Sequence, residues 1–224
     1  MNIVILQAGL RVPSTTRMLA DELGRALTGA AASADTDLDV QIVDLRDHAH
    51  AIMDAMLSGF AAGELQAVLD AVLAADGLVV VTPTFQGSYS GLFKSFADLI
   101  EPGALTDTPV VLAATGGTAR HSLMLEFALR PLMVYLGADP LRTAVFAATG
   151  DFGSSELSGR ATRVAGELLA RASGSGASRV QGAGAAAGGA AAGGADRGAL
   201  AEKPSTEPEV VDFESLMDSL GVGR

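Results

Sequence analysis

Three short stretches of this chain carry groups that could do chemistry, and each follows an apolar run. After Val79-Val80-Val81 comes Thr82-Pro83-Thr84-Phe85-Gln86-Gly87-Ser88. It offers backbone amides, hydroxyls and one flat aromatic ring, a set that suits a planar, hydrogen-bonding heterocycle better than a metal ion or a nucleophilic reaction. A plain structural turn with Phe85 tucked into the core is the alternative. After residues 2–7 comes a loop that ends in Ser14-Thr15-Thr16-Arg17 at an expected helix start. Unpaired amides, the positive helix end and three hydroxyls make a ready phosphate site there, to which Arg11 or Arg17 could add charge. Ordinary capping by Ser14 would use the same residues. After Val110 to Ala114 comes Thr115-Gly116-Gly117-Thr118-Ala119-Arg120-His121. Its adjacent glycines would let backbone approach a ligand closely, or would simply turn the chain from strand to helix.

The elements that must hold these stretches follow from periodicity. Residues 2–7 read as a first buried strand, and the helix after it carries Met18, Leu19, Leu23 and Leu27 on one face. Leu38 to Leu45 alternates apolar and polar, as a strand near a sheet edge does, while residues 46–60 fit no single pattern. A helix over about 61–75 leads into a strand at 77–82. Ser90 then caps a helix whose apolar face is Leu92, Phe93, Phe96, Leu99 and Ile100. A strand at 110–114, a helix over about 121–136, a strand from Leu141 to Ala148 and a helix over about 156–171 complete the pattern. Strand and helix thus alternate five times, which implies an α/β protein with a doubly wound five-stranded parallel sheet and helices on both faces. The five-stranded form of that architecture is flavodoxin-like, with strand order 2-1-3-4-5. In that order the three loops converge where the strand order reverses. A half-Rossmann domain is the runner-up, weakened because the first loop, Ala8-Gly9-Leu10-Arg11-Val12-Pro13-Ser14, lacks G-x-G-x-x-G.

Residues 1–171 are expected to form this domain. Residues 172–209 are rich in Gly and Ala without apolar periodicity and read as a flexible linker. Residues 210–224 then place Phe213, Leu216, Met217 and Leu220 on one face of a short helix. That helix would dock on its own domain or on a partner.

Composition narrows the chemistry. The chain has 224 residues, and 49% of them are hydrophobic, enough for a sizeable core. Its formal net charge of -11 argues against nucleic acid and against anionic membrane surfaces as partners. With no cysteine, thiolate zinc sites, iron–sulfur clusters and thiol nucleophiles are out, and three histidines make a histidine-rich metal site a poor fit. No basic, apolar leader opens the sequence and no apolar run is bilayer-length, so a soluble cytoplasmic protein is expected. Asp151-Phe152-Gly153 has no kinase context around it.

The three stretches resemble the flavodoxin-like NADPH-dependent FMN reductase family, and look most like the actinobacterial reductases that accompany luciferase-like monooxygenases. The matching pieces are Gly9 with Pro13 to Arg17, Thr82 through Lys94, and Ala114 to Leu123 running on to Leu129-Arg130-Pro131-Leu132. That resemblance implies that Ser14, Thr15, Thr16 and Arg17 hold the FMN phosphate. It implies that Pro83, Thr84, Phe85, Gln86, Gly87 and Ser88 contact the ribityl chain and isoalloxazine, and that Gly116 and Gly117 border the ring. Arg120 and His121 would meet NADPH or NADH, with Arg120 facing an adenosine phosphate. A solvated arginine and a helix-start histidine are the plain alternatives. Two departures stand out: Leu10 occupies a place where many relatives carry serine, and Phe85 one where many carry tyrosine. The resemblance further implies a homodimer or tetramer that passes hydride from nicotinamide to flavin, without a dedicated acid–base residue, and supplies reduced flavin to a monooxygenase. A flavodoxin-type electron carrier and a quinone or azo reductase would share the fold. The glycine pair and the lack of tryptophan favour an open flavin face over the aromatic sandwich of a carrier.

Overall fold

The structure is a computed structural model and describes residues 1–186. The expected amphipathic segment 210–224 and the later part of the expected linker lie outside the described residues. The elements are β1 (Asn2–Gln7), α1 (Thr15–Ser33), β2 (Asp39–Asp44), α2 (Ala49–Ser58), α3 (Gly63–Ala74), β3 (Gly77–Pro83), α4 (Gly91–Ala97), β4 (Pro109–Gly116), α5 (Arg130–Tyr135), β5 (Asp139–Pro140), β6 (Val145–Ala148) and α6 (Ser155–Ala186). The strands run β2-β1-β3-β4 in order, with β5 and β6 both beside β4. Every pairing is parallel, which is the flavodoxin-like order. β2 lies at the edge, as its alternating pattern required.

Wholly apolar strands have period-two side chains that serve two cores. Ile3 and Ile5 of β1, Val79 and Val81 of β3, Val111 and Ala113 of β4, and Val145 and Ala147 of β6 point to the layer formed by α1 and α6. Val4, Leu6, Leu78, Val80, Val110, Leu112 and Phe146 point the other way, onto α2 to α5. In α1, Leu19, Leu23 and Leu27 are buried as their spacing predicts, but Met18 is half-exposed. It stands one residue out of the i, i+4 row. Among the described residues no single helix is long and apolar enough to cross a membrane.

Four expectations need correction. The ambiguous stretch 46–60 contains α2, which ends at Gly59 in the left-handed conformation (φ 84°). The helix expected to close at 171 continues unbroken to Ala186, and Ala172 is buried against the α1–α6 core. The first part of the Gly/Ala-rich segment is therefore helix. Extending a helix already fixed by packing costs far less than starting one.

The third correction concerns the fifth strand, which is split. β4 advances from Val110 to Ala113 while the edge advances from Pro140 to Val145, so the edge carries extra residues between two registers. The carbonyls this bulge frees are taken by Arg130, whose Nη1 donates to Leu141 O at 2.9 Å and Pro140 O at 3.3 Å. Arg130 is in turn held by Glu126, with Nε to Oε2 at 2.6 Å and Nη2 to Oε1 at 2.9 Å. The helix expected over 121–136 breaks up at the same place. It becomes a 3-10 turn at Ala119–His121, a π turn at Leu125–Leu129, and α5. Pro131 lacks the N–H that would bond to the Phe127 carbonyl, and a widened turn just before it accommodates the loss.

Arg130→Met should therefore lower stability by about 1.5–3 kcal/mol, the worth of hydrogen bonds from a charged donor to half-buried carbonyls. The Arg130 guanidinium holds the Glu126 carboxyl below its ordinary value of 4.5. A carboxyl depressed in the folded state adds stability above that ordinary value and loses it as pH falls through the folded value. Glu126 is half-exposed, so this share is small. Urea unfolding at neutral pH and well below the ordinary glutamate value should show a shallower acid loss in Arg130→Met than in the parent chain. Equal acid losses would show that the pair adds nothing.

Candidate functional site

The carboxyl ends of β1, β3 and β4 lie side by side, and each opens into one of the three stretches. At the end of β1, Ala8 N donates to Val81 O at 2.9 Å and Gly9 N to Gln7 Oε1 at 2.8 Å. Ser14 caps α1 in extended conformation (φ -126°, ψ 123°), its Oγ accepting from Arg17 N at 3.2 Å. A Cβ on Gly9 would lie 2.2 Å from Ser14 Oγ and 2.9 Å from Gln7 Oε1. Glycine is thus required for the cap to form. The amides of Thr15 and Thr16, in the first turn of a 19-residue helix, have no intrahelical acceptor.

The predicted residues of this loop are not equivalent. Ser14 and Thr15 are accessible, whereas Thr16 is 2% exposed and its hydroxyl lies 2.9 Å from that of Thr115. Arg17 directs its Nε to Asp21 Oδ1 at 2.8 Å, along its own helix.

In the second stretch, the strand runs through Pro83 and the chain reverses in a two-residue turn. Phe85 N donates to Ser88 O at 2.9 Å and Ser88 N to Phe85 O at 3.0 Å. Gln86 and Gly87 both have positive φ, 50° and 79°, as a type I′ turn demands. Gln86 bears a strained backbone there, at a cost of about 1–2 kcal/mol. Phe85 is 44% exposed and so is not a core residue. Thr82 Oγ1 accepts from Ser90 N at 3.0 Å, and Ser90 caps α4 by accepting from Phe93 N at 3.2 Å. The buried Thr84 hydroxyl has no partner, nor has the Gln7 side-chain Nε2. Because the Gln7 oxygen accepts from Gly9, its NH2 is the unpaired end.

The third stretch separates its two glycines. A Cβ on Gly116 would meet Phe146 Cζ at 2.8 Å and His121 Nδ1 at 3.3 Å, while one on Gly117 would meet nothing within 4 Å. Gly116 is needed for packing, and Gly117 leaves open space above the backbone. Arg120 and His121 share the exposed 3-10 turn that follows.

One residue joins all three stretches. Thr115 is 3% exposed; its hydroxyl reaches Thr16 in the first, its carbonyl accepts Thr84 N at 2.8 Å in the second, and it precedes the glycine pair of the third. Nothing in the sequence marks its side chain, since a threonine near a strand end looks ordinary. A second unforeseen network closes β6. Asp151 Oδ2 accepts from Ala148 N at 3.0 Å and Arg160 Nη2 at 3.2 Å, while Arg160 Nη1 donates to Phe146 O at 2.8 Å. It fixes the strand whose Phe146 ring packs over Gly116.

Sheet order and a two-sided core define a flavodoxin-like α/β protein. The family model described as NADPH-dependent FMN reductase matches residues 1–153. The chain belongs to that family of oxidoreductases, NAD(P)H-dependent enzymes that reduce FMN. It is 41% identical over 154 residues to an FMN reductase (NADPH) of Pseudomonas aeruginosa, covering 67% of this chain and 78% of that protein. It is 37% identical over 157 residues to the NADH-dependent FMN reductase SfnF of Pseudomonas fluorescens, covering 70% and 81%. Among solved structures, an oxidoreductase from Corynebacterium diphtheriae has a TM-score of 0.73 at 43% identity, covering 76% of this chain and 95% of that one.

Gly116→Ala should destabilise the fold by about 1–3 kcal/mol through overpacking against Phe146, while Gly117→Ala should leave stability within about 0.5 kcal/mol of the parent. Thermal or urea unfolding of the two variants measures the difference; equal losses would remove the distinction between the glycines.

Proposed function

We propose that this reductase holds FMN across the three stretches, with the phosphate at the start of α1 and the ring against the Pro83–Ser88 turn and Gly117. The observation that carries the reading is the paired amides of Thr15 and Thr16 beside the Ser14 hydroxyl, at the positive end of a long helix. The donor set suits the ligand in other ways. The Thr84 hydroxyl and the Gln7 amide are buried without partners, and both Gly87 and Gly117 have open space where a side chain would stand. When bound, FMN supplies the ring that accepts hydride from the nicotinamide.

This chain's residues bind and orient. Ser14 and Thr15 donate to the phosphate through hydroxyl and amide, and Thr16 donates through its amide, with its hydroxyl 2.9 Å from that of Thr115. Arg17 contributes charge at a distance, held along the helix by Asp21. Phe85 and Gly117 flank the ring lightly and leave one face to the nicotinamide. Arg120 and His121 meet that second substrate. A lightly held flavin suits an enzyme that releases reduced FMN to a separate monooxygenase, working as a homo-oligomer in the cytoplasm. The named relatives differ between NADPH and NADH, and we assign the preference of this chain to Arg120.

Steady-state oxidation of NADPH and NADH with FMN, FAD, riboflavin and a quinone tests the reading as a whole. FMN should be the best acceptor, and a strong preference for quinone would overturn it. Replacing Ser14 and Thr15 together by alanine should weaken FMN at least about tenfold, each lost bond to a charged group being worth about 1.5–3 kcal/mol. Riboflavin, which lacks the phosphate, should bind within about twofold of the parent value. Equal losses for both ligands in a fluorescence titration would reject the phosphate assignment. Arg120→Ala should raise KM for NADPH by about fivefold or more and leave KM for NADH unchanged, reflecting loss of a charge-assisted bond to the extra phosphate. A parallel change for both coenzymes would place Arg120 outside the selectivity of the enzyme.

A further inference from the structure

Thr115 occupies a place that neither phosphate binding nor ring binding alone would require. It lies between Pro83 and Ala147 in the sheet register, and it is nearly inaccessible to solvent. Its Oγ1 stands 2.9 Å from Thr16 Oγ1, and its carbonyl takes the Thr84 amide at 2.8 Å. Thr16 carries one of the two free amides at the start of α1. Thr84 begins the turn that presents Phe85 and has an unpaired hydroxyl of its own.

A pair of hydroxyls holds two protons and uses only one of them between its members. If Thr115 donates, the proton of Thr16 is left to point elsewhere; if Thr16 donates, the proton of Thr115 is left. A negative charge at the start of α1 favours the first arrangement, in which both O–H dipoles run toward the charge.

We infer that Thr115 is a positioning residue that links the phosphate end of the flavin site to its ring end, acting through Thr16 on one side and Thr84 on the other. The inference rests on the FMN reading above and goes beyond it. Thr115 touches no ligand. Through its hydroxyl it sets the place of the Thr16 amide and polarises the Thr16 hydroxyl toward the phosphate. Through its carbonyl it sets the start of the ring-binding turn.

The test is a fluorescence titration of FMN and of riboflavin with the full chain and with Thr115→Val and Thr115→Ser, together with melting temperatures. Valine keeps the shape and removes the hydroxyl, whereas serine keeps the hydroxyl. The expected result is an FMN dissociation constant raised about fivefold in Thr115→Val, the loss of one hydrogen bond. Riboflavin should change less than about twofold, and Thr115→Ser should bind FMN as the parent does. A purely structural role would lower the melting temperature and leave the ratio of the two affinities unmoved, and that outcome overturns the inference. If the parent chain itself fails to prefer FMN over riboflavin, the phosphate reading falls and this inference with it. If Thr115→Val does not fold, Thr16→Val probes the same link from the other side and should give the same selective loss of FMN; an unselective loss there overturns the inference equally.

Discussion

The constraint on which the rest depends is the burial of β1, β3 and β4 on both faces. A strand with a helix layer on each side has no wet face, so it cannot carry a polar side chain along its length without leaving that group unsatisfied. Polar chemistry is displaced to where the strands stop. The buried polar residues of the described chain are Gln7, Thr16, Thr82, Ser90, Thr108 and Thr115. All but Thr108 lie at the carboxyl edge, at a strand end or the start of the following helix. The site is thus a consequence of the core.

Once the polar groups are crowded at that edge, glycine decides how near they may approach one another. Gly9 exists because Ser14 Oγ occupies the place of its missing Cβ, and Gly116 because the Phe146 ring does. Gly87 and Gly117 face open space, and Gly87 needs its left-handed backbone for the turn. Two glycines therefore serve the protein's own packing, one serves a turn, and one leaves room outside. Their letters in the sequence are identical, and only the neighbours brought by other strands distinguish them.

The same division explains what could be read in advance. The alternation of apolar strands with amphipathic helices needs only local spacing, and strand order followed from it. Ser14 and Ser90 were legible as caps because capping is a bond between residues three apart in sequence. The convergence of the three stretches came from topology alone. What escaped depends on partners remote in the chain. The split of the last strand rests on Arg130 reaching the Pro140 and Leu141 carbonyls. The extension of α6 to Ala186 continues a helix already anchored by packing into a segment whose mixed Gly, Ser and Ala composition reads as a linker. The inward turn of Thr16 depends on Thr115, 99 residues away. Of the expected ligand residues at the start of α1, Thr16 is held by a bond across the sheet and Arg17 by one within its own helix.

This pattern bears on why the site is built mainly from backbone. Of the four residues at the start of α1, Thr16 and Arg17 have their side chains directed to Thr115 and Asp21, and Ser14 shares its oxygen with the helix cap. The amides of Thr15 and Thr16 remain fixed in direction by the helix and require no side-chain ordering when a ligand arrives. Binding by such groups tolerates changes like Leu10 for serine, since the amide is unaltered. On the proposed placement it would also yield a modest grip, since the ring would meet a half-exposed phenyl group and a bare glycine, with no tryptophan in the chain to form a second wall. A tight electron carrier needs aromatic area on both faces of its flavin. A reductase that must admit a nicotinamide beside the flavin needs one face clear, and on the proposed placement the open space above Gly117 would meet that need.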